Sequence, residues 1–233
     1  MRQKDPIYET IEDVVSTSNT NYVNAIIEDK TIIPGMNGLA VNVDKSFQKM
    51  KSFGAFNKYY LIFDQVKPDI SLEDNKDKII TKGNPKKRSI AFILEENESL
   101  KEYLIKENIS ASLLVTSSTF KRDSQLEQIN ADYKNYKSME GLLDSIKQNK
   151  NICIVNNYNE EVCRKNQKYL IKPSLELNAY NLASIKNKLE SGSIIYIKKE
   201  VKEDDLKLLI QQAKYKGLTI THLSELIKED NNG

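Results

Sequence analysis

The stretch from Ser89 to Thr116, SIAFILEENESLKEYLIKENISASLLVT, decides the fold class. Ser89–Leu94 is a short, almost uninterrupted apolar run, the pattern of a buried strand. Glu98–Asn108 is amphipathic and ends on Asn, a residue that tolerates the left-handed backbone of a helix stop. Ser110–Thr116 is a second strand. Two strands joined through a helix make a βαβ unit, because parallel neighbours need a crossover connection.

Toward the C-terminus the alternation continues. A short helix is predicted at Asp123–Gln128, a strand at Ala131–Tyr136, and a helix at Ser138–Gln148 capped by Ser138. Strand Ile152–Val155, helix Glu160–Asn166 and strand Tyr169–Ile171 follow, then helix Ala179–Glu190, closed by Ser191-Gly192. Ser193–Ile197 is a strand. Glu203–Tyr215 is a helix with Leu206, Leu209, Ile210 and Ala213 on one face, closed by Gly217. Strand Leu218–Thr221 and a last helix, capped by Ser224, end the series. About seven βα pairs exclude an all-helical or sandwich fold and predict an α/β fold with a parallel sheet or barrel.

Toward the N-terminus the texture changes. Asp5–Val15 reads as a helix, Ala25–Ile27 and Thr31–Ile33 as short strands, and Pro34–Gly38 as a turn. Leu39–Val43 alternates as a strand, Asp44 caps a helix that Gly54 stops, and Tyr59–Phe63 and Ile79–Thr81 are further strands. The predicted organisation is a small α+β extension or cap at residues 1–83 and an α/β domain at residues 84–233.

Composition narrows the function. Hydrophobic residues make up 39% and charged residues 29%, enough for a core that needs no metal or disulfide. Lys and Arg total 35 against 33 Asp and Glu, for a net charge of +2, and only Arg2, Arg88, Arg122 and Arg164 are arginines. Without a basic, Arg-rich stripe, nucleic acid is not an expected partner. One histidine, His222, and two cysteines cannot assemble a Cys/His zinc site, and His222 falls between a strand and a helix, away from partners for nucleophilic catalysis. The apolar runs are too short to span a bilayer, and Met1–Pro6 leads straight into polar sequence. A soluble chain is expected, with membrane contact only through an anchor outside it. Cys153 and Cys163 lie on a strand and on the antiparallel helix after it, which brings them within disulfide reach. Two readings stay open: buried thiols, or a bridge in an oxidising compartment.

Three stretches together resemble the polysaccharide deacetylase (NodB-homology) family. Lys87-Arg88-Ser89-Ile90-Ala91-Phe92-Ile93-Leu94-Glu95-Glu96 resembles the family's opening strand, which ordinarily ends Thr-Phe-Asp-Asp-Gly. Leu100–Leu104 through Asn108–Val115 resembles its first helix and second strand. Gly192–Ile197 and Ala213–Leu226, which contains Lys216-Gly217-Leu218 and Leu223-Ser224-Glu225-Leu226, resemble the closing elements. The resemblance implies a distorted (β/α)7-type barrel and a hydrolase that removes N- or O-acetyl groups from a glycan. In that family one Asp and two His hold a metal, and a second Asp is the general base. Here Glu95 and Glu96 stand at the aspartate positions as vestigial candidates, and the His-x-x-x-His motif has no counterpart around Asn130–Tyr136.

The reading that follows is a degenerate, catalytically inactive deacetylase-like protein without metal or cofactor. Its implied partner is peptidoglycan or another envelope glycan, with Asp132, Tyr133, Tyr136 and Tyr158 as ligand-binding candidates; the tyrosines can equally be core-edge residues. Abundant Asn, Lys and Ile fit an AT-rich Gram-positive genome. The location implied is outside the cell or anchored to its membrane if the chain is a trimmed ectodomain, and cytoplasmic otherwise. Two alternatives are an active hydrolase with Glu95, Glu96 and Asp132 around an oxygen-loving metal, and a protein-interaction scaffold. If Glu95 and Glu96 are ordinary solvated acids, replacing both by Gln is expected to leave stability almost unchanged.

Overall fold

Backbone pairing, rather than position along the chain, decides how this protein is divided. The computed structural model describes residues 5–148 and 151–231. One unit gathers Met1–Ala25, Gly35–Ser71 and Glu229–Gly233; the other gathers Ile26–Pro34 and Leu72–Lys228. The boundary expected at residue 83 therefore moves. Residues 26–34 and 72–83 join the larger unit because their strands pair there, and the chain's last residues return to the smaller one.

In chain order the elements are α1 (Pro6–Ser18), β1 (Ile26–Glu28), β2 (Thr31–Ile33), β3 (Gly38–Val41), α2 (Val43–Lys51), β4 (Phe63–Val66) and β5 (Ile79–Ile80). Then come β6 (Ser89–Leu94), α3 (Glu98–Lys106), β7 (Ser112–Val115), β8 (Glu127–Asn130), α4 (Tyr136–Ser145), β9 (Ile152–Ile154) and α5 (Glu160–Lys165). The series ends with β10 (Tyr169–Ile171), β11 (Leu175–Leu177), α6 (Leu182–Lys188), β12 (Ile194–Ile197), α7 (Glu203–Tyr215), β13 (Thr219–Thr221) and α8 (Leu223–Ile227).

The smaller unit is α+β. Asp5 caps α1 by accepting from the Ile7 N–H, and Pro6 in the first turn loses no needed donor. Asn42, rather than the expected Asp44, caps α2 by accepting from the Lys45 N–H. β3 and β4 pair antiparallel, from Gly38 against Val66 to Val41 against Phe63. Ile11, Val41 and Met50 form the core, with Phe47 and Phe63 packed on it. The strand expected at Tyr59 starts at Phe63, because Lys58–Tyr60 is a 3-10 turn capped by Asn57.

The larger unit centres on β6. Its apolar residues Ile90–Leu94 are almost wholly inaccessible, and Leu100, Leu104, Leu206, Leu209 and Ile210 from α3 and α7 join the same core. Truncating Phe92 to Ala would cost about 3–5 kcal/mol through lost apolar burial and the cavity left behind. β6 pairs with β12 along one edge. Along its other edge the ladder forks, with Ser89–Ala91 on β13 and Ile93–Leu94 on β7. One sheet runs β11-β12-β6-β7-β8, with β13 beside β6; a second runs β1-β2-β5-β10-β9. The pairs within the first are all parallel, as are those of the second apart from the β1–β2 hairpin.

No ladder joins the two sheets among the described residues, so the strands of the expected distorted barrel are hydrogen-bonded as two sheets and form no closed one. On β8 the Gln128 N–H donates to the Gln148 side-chain oxygen at 2.8 Å, so a side chain satisfies this backbone group. Two local expectations also change. Asp123–Gln128 is not a helix, and its last residues begin β8. Ala131–Tyr136 is not a strand; it is a turn leading into α4, which starts at Tyr136 rather than at a Ser138 cap. No helix among the described residues is long and apolar enough to cross a membrane.

Candidate functional site

Parallel strands deliver their C-terminal ends, and the loops after them, to one face. There the larger unit holds a cavity of ≈ 780 Å³. Glu95 follows β6, Tyr133 follows β8, Asn156–Tyr158 follow β9 and Lys172 follows β10, all lining this cavity. The two-residue period of a strand puts Tyr196 and Lys198 at the end of β12 on one side. Glu176 of β11 stands in register with Tyr196 and lines the cavity too.

Glu95 is the best-held side chain here. Its Oε1 accepts from the Tyr196 hydroxyl at 3.0 Å and from Lys198 Nζ at 2.9 Å, and its Oε2 accepts from the Lys199 N–H at 2.8 Å. Partial burial raises the carboxyl's pKa, but the combined donors outweigh it and hold the group below the usual glutamate value. The Glu95 bond in turn raises the Lys198 pKa, and Lys198 lies 5.4 Å from the Tyr196 ring centroid. Burial, followed by the Glu95 charge, pushes the Tyr196 phenol above its ordinary range. The result is a fixed ion pair of carboxylate and ammonium. A general base needs a pKa near the working pH, and Glu95 is displaced the opposite way.

The other sequence-derived candidates disperse. Glu96 is exposed and lines an adjoining cleft of ≈ 180 Å³. Asp132 is buried in the turn after β8, where Oδ2 accepts from the Ser117 hydroxyl (2.8 Å) and N–H (3.2 Å) and Oδ1 from the Asn135 N–H (3.1 Å). These bonds, led by the Ser117 hydroxyl, lower its pKa. Asp132 therefore ties two loops together and does not line the cavity. Tyr133 does line it, half-buried, with its hydroxyl donating to the Ile154 carbonyl at 3.1 Å. Tyr136 is corrected from ligand contact to core: only 4% exposed, it packs with Cys153, Val155, Cys163 and Leu170. Tyr158 stands 94% exposed at the cavity edge. His222 occupies the N-cap position of α8, outside the cavity. Cys153 and Cys163 form a disulfide with Cα atoms 5.8 Å apart.

The residues present do not fit the metal centre that the resemblance implies. Among the described residues no three His, Cys, Asp or Glu side chains come together as a metal-holding group. Glu95 already faces an ammonium, which repels a divalent cation. The arrangement of Glu95, Glu96 and Asp132 around a metal is therefore corrected, since Glu95 bonds Tyr196 and Lys198, Asp132 bonds Ser117 and Asn135, and Glu96 is exposed.

Sequence reasoning missed Tyr196, Lys198, Glu176 and Lys172. The signal was present at β12, where Tyr196 and Lys198 put polar groups on one face of an otherwise apolar strand.

No family model matches the chain. Over 131 residues it is 35% identical to the uncharacterized protein YlxY of Bacillus subtilis strain 168; the match covers 53% of this chain and 41% of that relative, so the chain spans less than half of the relative's length. Among solved structures it is similar to BA3943, a CE4 family pseudoenzyme from Bacillus anthracis, with a TM-score of 0.65 at 19% identity over 98% of this chain and 97% of the other. A BA3943 mutant described as having restored enzymatic activity gives a TM-score of 0.64 at 19% identity, covering 97% and 100%. The likeness establishes the fold. This chain has the polysaccharide deacetylase-type α/β fold of the CE4 proteins.

Proposed function

We propose that this chain, built on the fold of a CE4 pseudoenzyme, binds an envelope glycan at the mouth of its parallel strands without hydrolysing it. The observation that carries the reading is Glu95, the residue at the family's aspartate position, locked by Lys198, Tyr196 and the Lys199 N–H. An ammonium faces this carboxylate, where a hydrolase of this fold would need it to face a metal. The cavity remains large enough for a sugar, and its lining suits one: aromatic Tyr133 and Tyr158, amides Asn156 and Asn157, and charged Lys172 and Glu176. The Cys153–Cys163 disulfide supports a place on the outer side of the membrane, where such bonds persist.

The test is acetate release from chitin-like and peptidoglycan fragments with Mn²⁺, Co²⁺ or Zn²⁺ added, alongside retention of the protein on insoluble peptidoglycan. Retention without acetate is the expected result. Acetate produced by the natural chain and lost in a Glu95→Gln/Glu96→Gln variant would overturn the reading in favour of a hydrolase. Absence of retention, with cross-linking to a protein instead, would favour a scaffold.

A further inference from the structure

The loops leaving β9 and β11 are built to one plan. In Asn156-Asn157-Tyr158-Asn159, the Asn156 side-chain oxygen accepts from the Tyr158 N–H at 2.8 Å, and the Asn159 oxygen accepts from the Asn156 N–H at 2.8 Å. The Asn159 amide then donates to the Ile154 carbonyl at 2.9 Å. In Asn178-Ala179-Tyr180-Asn181 the same three bonds recur. Asn178 accepts from the Tyr180 N–H at 2.9 Å, Asn181 accepts from the Asn178 N–H at 2.9 Å, and the Asn181 amide donates to the Glu176 carbonyl at 2.8 Å. Asn156 and Asn159 in one loop, and Asn178 and Asn181 in the other, bond inward, and the tyrosine is thrust out, 94% exposed at Tyr158 and 97% at Tyr180.

Both loops continue strands that wall the cavity, through Val155 and Asn156 on one side and Leu175 and Glu176 on the other. A ring this exposed contributes almost nothing to folding, because little of its surface leaves water. Fixed backbone under each ring lowers the entropy cost of using it, and tyrosine itself has only two side-chain torsions to order. The surroundings suit a sugar. Beside these loops the cavity mixes amides and charged groups with apolar Ile154, Val155, Pro173 and Leu175, matching the polar edge and apolar face of a pyranose. Pyranose rings offer an apolar C–H face for stacking and hydroxyls for amides.

From this matched pair we infer that Tyr158 and Tyr180 are two stacking platforms of one extended site, and that its ligand is an oligosaccharide several sugars long. The inference rests on the glycan reading above and specifies its ligand class. Binding by such a site grows with chain length, because a single sugar cannot occupy the cavity and both platforms together.

The experiment is titration of the protein with β-1,4-linked N-acetylglucosamine oligomers from monomer to hexamer. The chain contains no Trp and 12 Tyr, so intrinsic tyrosine fluorescence reads out binding directly, with calorimetry as the second measure. Affinity is expected to rise with length, and Tyr158→Ala and Tyr180→Ala each to weaken hexamer binding roughly two- to twelvefold. Tyr180→Phe is expected to retain it. Thermal midpoints of all variants should match the natural chain, which separates lost stacking from lost folding. Hexamer binding unchanged in both Ala variants would overturn the platforms while leaving the glycan reading intact. No binding of any oligomer by the natural chain would overturn both.

Discussion

Glu95 shows how one residue's partners can matter more than its position. At a strand end it was expected to be an ordinary solvated acid, dispensable together with Glu96. Instead it accepts three hydrogen bonds, two from charged or phenolic side chains and one from the backbone, while Glu96 stays exposed. Glu95→Gln should therefore cost stability, about 1–2 kcal/mol once partial exposure is discounted, and Glu96→Gln almost none. The pH dependence has a definite sign. Because the folded pKa of Glu95 is depressed, its contribution is present above the unfolded value of about 4.3 and is lost as pH falls through the folded value. The gap in Tm between the natural chain and Glu95→Gln should be widest near neutrality and close as the pH drops below roughly 4. A gap that stays constant from neutral to acid pH would show that the carboxylate charge is not what the donors hold.

At the scale of elements, the sequence was legible wherever apolar residues marked a period. β6, α3, β7, α7 and the Gly217 stop follow from hydrophobic spacing and turn chemistry alone. β8 was not legible because burial there is carried by polar side chains. Glu127, Gln128 and Asn130 are at most 6% exposed, satisfied by Ser112, by the Lys121 backbone and by the Tyr136 carbonyl respectively. A buried polar strand leaves no apolar pattern to read. The same limit hid the site: Lys198 and Tyr196 acquire their meaning only when β12 is laid beside β6.

Two substitutions test elements directly. Gly192 has φ +88°, and a Cβ there would lie 2.3 Å from the Gly83 carbonyl oxygen, so Gly192→Ala must move backbone and should cost more than about 1 kcal/mol. Urea unfolding would measure it, and an unchanged midpoint would show that the close approach is not rigid. The disulfide closes a loop across a sequence separation of 10 that carries Asn156, Asn157 and Tyr158. Replacing Cys153 and Cys163 together by Ala should lower stability by roughly 2–4 kcal/mol under oxidising conditions, and the difference should shrink once a reductant opens the bridge in the natural chain. Equal stability of variant and natural chain would remove the bridge from the account.

At the scale of the whole molecule, two compact units share the chain, and the cavity belongs to the larger. The α/β class and the deacetylase-type fold were readable from alternation and from the opening and closing stretches. The division of the strands into two sheets was not, because backbone partners are chosen across the fold, as when the Gln128 N–H finds the Gln148 side chain. The central claim is that this fold has kept glycan binding while the carboxylate at its centre is held by a lysine. Proton NMR of the acetyl methyl groups of an N-acetylglucosamine hexamer, mixed with the full chain and Zn²⁺, reads both halves of that claim in one spectrum. Broadened or shifted acetyl signals with no free-acetate resonance are the expected result. A growing acetate resonance, or acetyl signals identical to those of the free hexamer, would contradict it.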